Sequence, residues 1–299
     1  MSDPLSDLPE AVGRRFAEGG FSSGLSVPDF GACIEMGLEP LGFVQGFCAM
    51  QWGWFGSQGM RGSMGYPMAQ AGGGYSEVFQ CPHGMRGSAH RSWGQNFQQT
   101  QVEAFWTEGF TSARSRMMDE AIALGAHGIV GVLDTVNEIS DLQISEFHLR
   151  GTAVRVRDAA PSALVPWTTF LAGQRLAKVF EAGFVPVAVV SAVSSVRVWG
   201  YCMTEYLIHG GAGASWLGTD EPQEIEQFVV ARMAARDIVR RKARGQLDGD
   251  ELHGVELDVT EWEVTDDDWE VRCRLRGNRL RRFKDFDPLP APRPTVRLS

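Results

Sequence analysis

The chain has 299 residues, 43% of them hydrophobic, which is enough for two cores at the usual size of roughly 150 residues per domain. Its net charge of −9 argues against a general nucleic-acid or anionic-membrane footprint, and no stretch approaches the roughly 20 apolar residues of a membrane helix. Five scattered cysteines, Cys33, Cys48, Cys81, Cys202 and Cys273, contain no CxxC pair and do not read as a disulfide framework, so reduced thiols are expected.

The opening "MSDPLSDLPEAVGRRF" lacks the basic-then-apolar order of a secretory signal, and a cytoplasmic location is expected. A short helix follows, capped by Ser26, with Phe30, Cys33 and Ile34 at helical spacing and Gly37 closing it. Pro40 marks the start of a strand, "LGFVQGFCAMQW", rich in the small, β-branched and aromatic residues a buried strand favours. Residues 55–100, rich in Gly, Met, Gln and Ser, read as an insertion. An amphipathic helix then runs from Val102 through Phe105, Phe110, Ala113, Met117 and Ala121 to Leu124, stopped by Gly125. Two strands, about 127–138 and 144–156, complete the unit.

The same order recurs. "EMGLEPLGFVQG" from Glu35 returns as "EAGFVPVAVVSA" from Glu181, an offset of 146 (186 − 40 for the prolines). "HGIVGV" at His127 answers "HGVELD" at His253, and "LRGTAV" at Leu149 answers "LRGNRL" at Leu275, both offset by 126. The second copy predicts a helix capped by Thr169 and closed by Gly183, a strand from Pro186, a linker over 201–224, a charged helix from Ile225, and strands at 253–264 and 269–282. The expected domains are 22–157 and 163–284, followed by a Pro-rich tail, 285–299.

Two-residue alternation assigns Ile129, Gly131, Leu133, Phe147 and Leu149 to the helix-facing side in copy one, and Val255, Leu257, Val259, Val271, Cys273 and Leu275 in copy two. On the opposite side, copy two places Glu256 across from Arg276 and Asp258 across from Arg274, a solvated ion-pair face worth about a few tenths of a kcal/mol per pair. Copy one shows Val130 and Val132 there, which predicts burial against another subunit or repeat.

The order strand, linker, helix, strand, strand, with "LGFVQG", "ARSRMMDEAIALGAHGIVGVLDTV" and "EFHLRGTAVRV", resembles the YbjQ-like family, which carries a heavy-metal-binding label. The resemblance covers most of residues 40–157 and, more weakly, 168–284. It implies an α+β fold of two tandem dodecin-like β-α-β-β units, each a three-stranded antiparallel sheet on one long helix, and a ring-like homo-oligomer, typically pentameric.

The candidate sites follow from ligand chemistry. Cys81, His83 and His90, with Met60, Met64, Met68 and Met85 nearby, offer thiolate, imidazole and thioether groups suited to zinc or copper, although adaptable loop packing explains the methionines equally. Asp134, Glu146 and His148 share a face if the second copy's register applies, and could hold a metal or move a proton; a polar rim is the plainer reading. His127 and His253 at matching strand starts suit an imidazole satisfying backbone groups. The arginines of 232–244 and 272–284 and the run "HGGAGAS" from His209 offer an anion or nucleic-acid surface, for which acidic neighbours and the absence of a P-loop signature speak unfavourably. No nucleophile elbow, HExxH or dinucleotide fingerprint occurs. The expectation is a non-enzymatic oligomer that binds a transition metal, with a metal-free scaffolding ring as the alternative. The nine tryptophans are left as either contact residues or interior anchors.

Overall fold

The computed structural model describes residues 21–51, 78–80, 86–88, 92–93, 96–139, 144–162, 164–199, 226–265 and 268–284. The described residues form four helices, α1 (Val27–Glu35), α2 (Thr100–Ala123), α3 (Gly173–Glu181) and α4 (Glu226–Arg244). The long strands are β1 (Leu38–Gln51), β6 (Gly128–Ile139), β7 (Ile144–Val156), β9 (Phe184–Trp199), β10 (Glu251–Thr265) and β11 (Asp268–Arg282). Short strands are β2 (Val78–Gln80), β3 (Arg86–Ser88), β4 (Ser92–Trp93), β5 (Asn96–Gln98) and β8 (Trp167–Thr168). The fold is α+β, and none of the described helices is long and apolar enough to cross a membrane.

Local chemistry sets the element ends. The Ser26 hydroxyl accepts from the Asp29 amide and caps α1, and Gly37, at φ +76°, takes the left-handed turn that ends it. Thr169 does not cap α3: that helix starts after Ala172, and the Thr169 hydroxyl donates instead to Asn278 Oδ1 at 2.8 Å. Pro40 and Pro186 both lie at bulges. The register steps from Pro40↔Val154 to Gly42↔Ala153, and from Pro186↔Leu280 to Ala188↔Arg279, so the prolines fall where the ladder is already interrupted.

Two sheets dominate, ordered β1-β7-β6-β8 and β10-β11-β9-β5-β4, while β2 and β3 pair separately. Each contains an antiparallel triplet, β1-β7-β6 or β9-β11-β10, and each is wider than the three strands expected. The extra strands are exchanged: β5, which leads into α2, pairs with β9, and β8, which leads into α3, lies parallel to β6. Helix α2 packs Ala113, Met117 and Ala121 against Val44, Cys48, Phe147 and Leu149 of the first sheet, in a cluster that also takes in Val189 and Val193 from the back of β9. The opposite side of β9, with Val190 and Val196, joins Val271, Cys273 and Leu275 under Ala231, Ala235 and Val239 of α4. The layers therefore run α4, second sheet, α2, first sheet. Helices α1 and α3 meet at one end, where Cys33 and Leu176 cover Val130 and Val154.

The alternation expected along β6 fails at Gly131. This residue sits at φ +60° in a bulge between Val130 and Leu133, and every later side chain changes face. Leu133, expected inside, is 53% exposed, whereas Val132 is 1% exposed in the α2 cluster. Val130 and Val132, expected at an interface with another subunit or repeat, are thus buried within the chain, Val130 beside Leu176 of the second half.

A matching bulge at Gly254, φ +61°, corrects the reading of the histidines. Val130 pairs with Thr152 and His253 with Asn278, so β10 follows β6 at 253 − 130 = 123, while β11 follows β7 at 278 − 152 = 126. His127 and His253 are therefore not equivalent. The Nδ1 of His127 accepts from the Val156 amide at 3.3 Å, the backbone role expected of it, whereas His253 lies against Phe184 and pairs with Glu251 at 3.1 Å.

Candidate functional site

Polar and charged groups concentrate in the seam between the second sheet and the α2 layer. Glu103 lies on the buried stripe of α2, 2% exposed, and both of its oxygens are occupied. Its Oε2 accepts from Gln98 Nε2 at 2.8 Å and from Lys242 Nζ at 2.7 Å, and its Oε1 accepts from the Ser195 amide at 3.0 Å. Lys242 also donates to the Val193 carbonyl at 3.0 Å, so one carboxylate ties β5, β9 and α4 to α2. The Ser195 hydroxyl bonds to Gln99 Oε1 at 2.9 Å and to Glu270 Oε1 at 2.8 Å. Burial pushes the Glu270 carboxyl above its ordinary range, against the pull of Arg272.

The arginines of β11 complete the seam. Arg272 stacks over both Trp106 and Trp262, 4.4 Å from each ring centroid, and reaches Glu138 at 2.6 Å and Glu270 at 3.0 Å. Arg274 lies 4.5 Å over Phe110, and Arg274 and Arg276 converge on Asp134, whose carboxylate is 1% exposed; the Arg276 contact is 3.0 Å. Burial lowers the Arg274 guanidinium from its usual value, with Asp134 opposing. Glu256 does face Arg276 and Asp258 does face Arg274 across the hairpin, as expected. On β11 that face is not the solvated one anticipated, because α2 draws Arg272 and Arg274 inward, whereas on β10 it is, with the Glu256 and Asp258 side chains 67% and 57% exposed.

The trio Asp134, Glu146 and His148 is not brought together. Asp134 stands opposite Leu149 and faces inward, while His148 stands opposite Thr135 and Glu146 opposite Asn137, on the far side of the sheet. Glu146 accepts from Asn137 Nδ2 at 3.3 Å, and the His148 ring meets Phe47 edge-on at 4.5 Å. The bulge at Gly131 supplies the one-residue slip that separates them. Among the described residues no three His, Cys, Asp or Glu side chains gather as a metal site. Cys81, His83, His90 and the methionines Met60, Met64, Met68 and Met85 lie outside the described residues, as does the glycine run after His209.

The arginines of β11 are paired, and so are Arg232 and Lys242 on α4. Arg232 binds Glu261, Arg279 and Arg281 bind Asp250, and Arg282 binds Glu251. The described cysteines Cys33, Cys48 and Cys273 are free and buried, and burial pushes the Cys273 thiol up to about 11 although Arg236 and Arg240 pull it down, which leaves it a poor nucleophile. An open groove of about 650 Å³ lies over Glu103, between Gln98, Thr107, Arg241 and Lys242. Its floor carboxylate already accepts three hydrogen bonds from within the fold. What this arrangement does chemically is to hold one sheet on another. Sequence reasoning missed Glu103, Ser195 and Glu270; the visible signal for Glu103 was a carboxylate placed one residue after Val102 on an otherwise apolar helix stripe. No protein-family model and no curated protein matches the chain.

Proposed function

We propose that the protein is a non-enzymatic assembly module: two tandem, dodecin-like units of the YbjQ-like kind that arose by duplication and that associate with further copies into a ring-like homo-oligomer. The observation that carries this reading is the joint between the halves. Strands are exchanged across it in both sheets, one helix is shared by two sheets, and the buried carboxylates Glu103 and Asp134, with the half-buried Lys242, are spent on it. A unit whose polar interior is used to bind its own kind is suited to further association.

The matching positions support a common origin. Val44, Phe147 and Leu149 under α2 answer Val190, Cys273 and Leu275 under α4 at the offsets of 146 (190 − 44) and 126 (273 − 147, 275 − 149). Light scattering of the full-length protein tests the reading: a mass several times the 32.9 kDa of one chain is expected, and a strictly monomeric protein overturns it. Metal analysis of the same sample provides the contrast. Stoichiometric zinc or copper that disappears when residues 56–100 are deleted would shift the function to Cys81, His83 and His90.

A further inference from the structure

The joint between the halves has a direction, and each of its two surfaces recurs, uncovered, at the other end of the molecule. Residues 167–171 run along the free edge of β6: the Thr169 amide donates to Ile129 O, the Gly131 amide to Leu171 O and the Val132 amide to Thr169 O, each at 3.0 Å. The same segment is fastened to its own half through Asn278 Oδ1, which accepts from the Thr169 hydroxyl and the Phe170 amide, each at 2.8 Å. Subtracting 146 gives residues 21–25, which are fastened alike. Ser23 Oγ and the Gly24 amide meet Thr152, the counterpart of Asn278 (278 − 126 = 152), at 3.3 and 3.1 Å. The Leu25 amide donates to Ser23 Oγ at 3.1 Å as the Leu171 amide does to Thr169 Oγ1 at 3.1 Å. Phe21, the counterpart of Trp167, is 58% exposed, and among the described residues no strand pairs with this segment.

The complementary edge is β10, the outermost strand of the second sheet. Val255 follows the bulge glycine as Val132 does, but it is 50% exposed where Val132 is 1% exposed. The layers show the same incompleteness. The back of β9 meets α2 through Val193, 2% exposed, whereas its counterpart on β1, Phe47 (193 − 146), is 41% exposed beside His148 and Glu146. On the facing surface, Ala113, Met117 and Ala121 of α2 answer Ala235, Val239 and Ala243 of α4 at 235 − 113 = 122, which places Arg232 and Arg236 where α2 presents Phe110 and Arg114. The chemistry of the existing joint is thereby reversed. There, arginine on the sheet stacks on aromatic rings of the helix; in the open pair, the exposed Arg236 and the Glu261-paired Arg232 on the helix would meet Phe47 and Glu146 on the sheet.

We infer that a second copy of this chain docks head to tail, its residues 21–25 running parallel along Glu251–Val255 of β10 and its Phe47 face covering the Arg232–Arg236 stripe of α4. The contact is heterologous, so it propagates until a ring closes. It rests on the assembly reading above and adds its surfaces and polarity.

Two exposed substitutions test it. Val255→Arg spoils only the tail surface, and Phe47→Lys only the head. Each variant alone is expected to fall to the 32.9 kDa monomer, and an equimolar mixture to form a dimer of twice that mass, because each retains the surface the other lacks. Dimer recovery also shows that both variants are folded. If the wild type assembles while both variants keep its mass, or if the variants are monomeric and their mixture stays so, the head-to-tail contact is wrong and the assembly reading survives; a monomeric wild type overturns both.

Discussion

Glu270 shows how the seam turns position into electrostatics. It is 5% exposed, and although Arg272 and Ser195 both favour its charged form, burial outweighs them and raises the carboxyl above the ordinary glutamate value. Folding therefore takes up a proton between that ordinary value and the raised one, so the stability contributed by this site falls as pH rises through the window and stays lower above it. Glu270→Gln is neutral throughout and removes the slope. The expected outcome is a thermal midpoint for the variant that gains on the wild type as pH is raised from the acid side of the window to neutrality; a difference that stays constant with pH would refute the burial argument. Little of this was legible in the sequence. Arg272 and Glu270 stand two apart on one strand, which suggests a shared face but not that a helix from the other half covers it. Asp134 was read in the right strand and on the wrong face, because a single left-handed glycine decides the matter and alternation alone cannot register it.

At the scale of elements, the sequence carried the helices and hairpins well, since their signals are local. Strands expected at 144–156 and 269–282 are found at Ile144–Val156 and Asp268–Arg282. Packing between them depends on paired sizes that no local pattern displays. A Cβ on Gly109 of α2 would come within 2.3 Å of the Phe147 ring, and one on Gly46 within 1.8 Å of the Ala113 carbonyl, so the helix sits directly on the first sheet. In the second half the corresponding pair is Ala231 and Cys273 (109 + 122, 147 + 126): the helix residue is larger and the strand residue smaller. Gly109→Ala alone is expected to cost about 1–3 kcal/mol through overpacking. Combined with Phe147→Cys, which by itself opens a cavity, it should lose less than the sum of the two single variants in denaturant titrations. Strict additivity would show that the two positions do not share this space.

For the whole molecule, exchange across the seam bears on how the chain unfolds. Two similar units of this length would ordinarily behave as separate domains joined by a linker. Here β5 belongs to the second sheet though it leads into α2, β8 belongs to the first though it leads into α3, and Val189 and Val193 are buried in the cluster of the first half. Removing either half would strand the other: β9 would lose β5 and its cover, and Arg272, Arg274 and Arg276 would lose Trp106, Phe110 and Asp134. Breaking such a buried pair typically costs about 3–5 kcal/mol, so neither half can relax independently. A single cooperative transition is therefore expected, with tryptophan fluorescence and far-ultraviolet circular dichroism superimposing in guanidinium. Glu103→Ala, which cuts the contacts to Gln98, Ser195 and Lys242 at once, should move both signals together to lower denaturant. Two separated transitions, or a Glu103→Ala effect confined to one probe, would mean that the halves are coupled only by the chain that connects them.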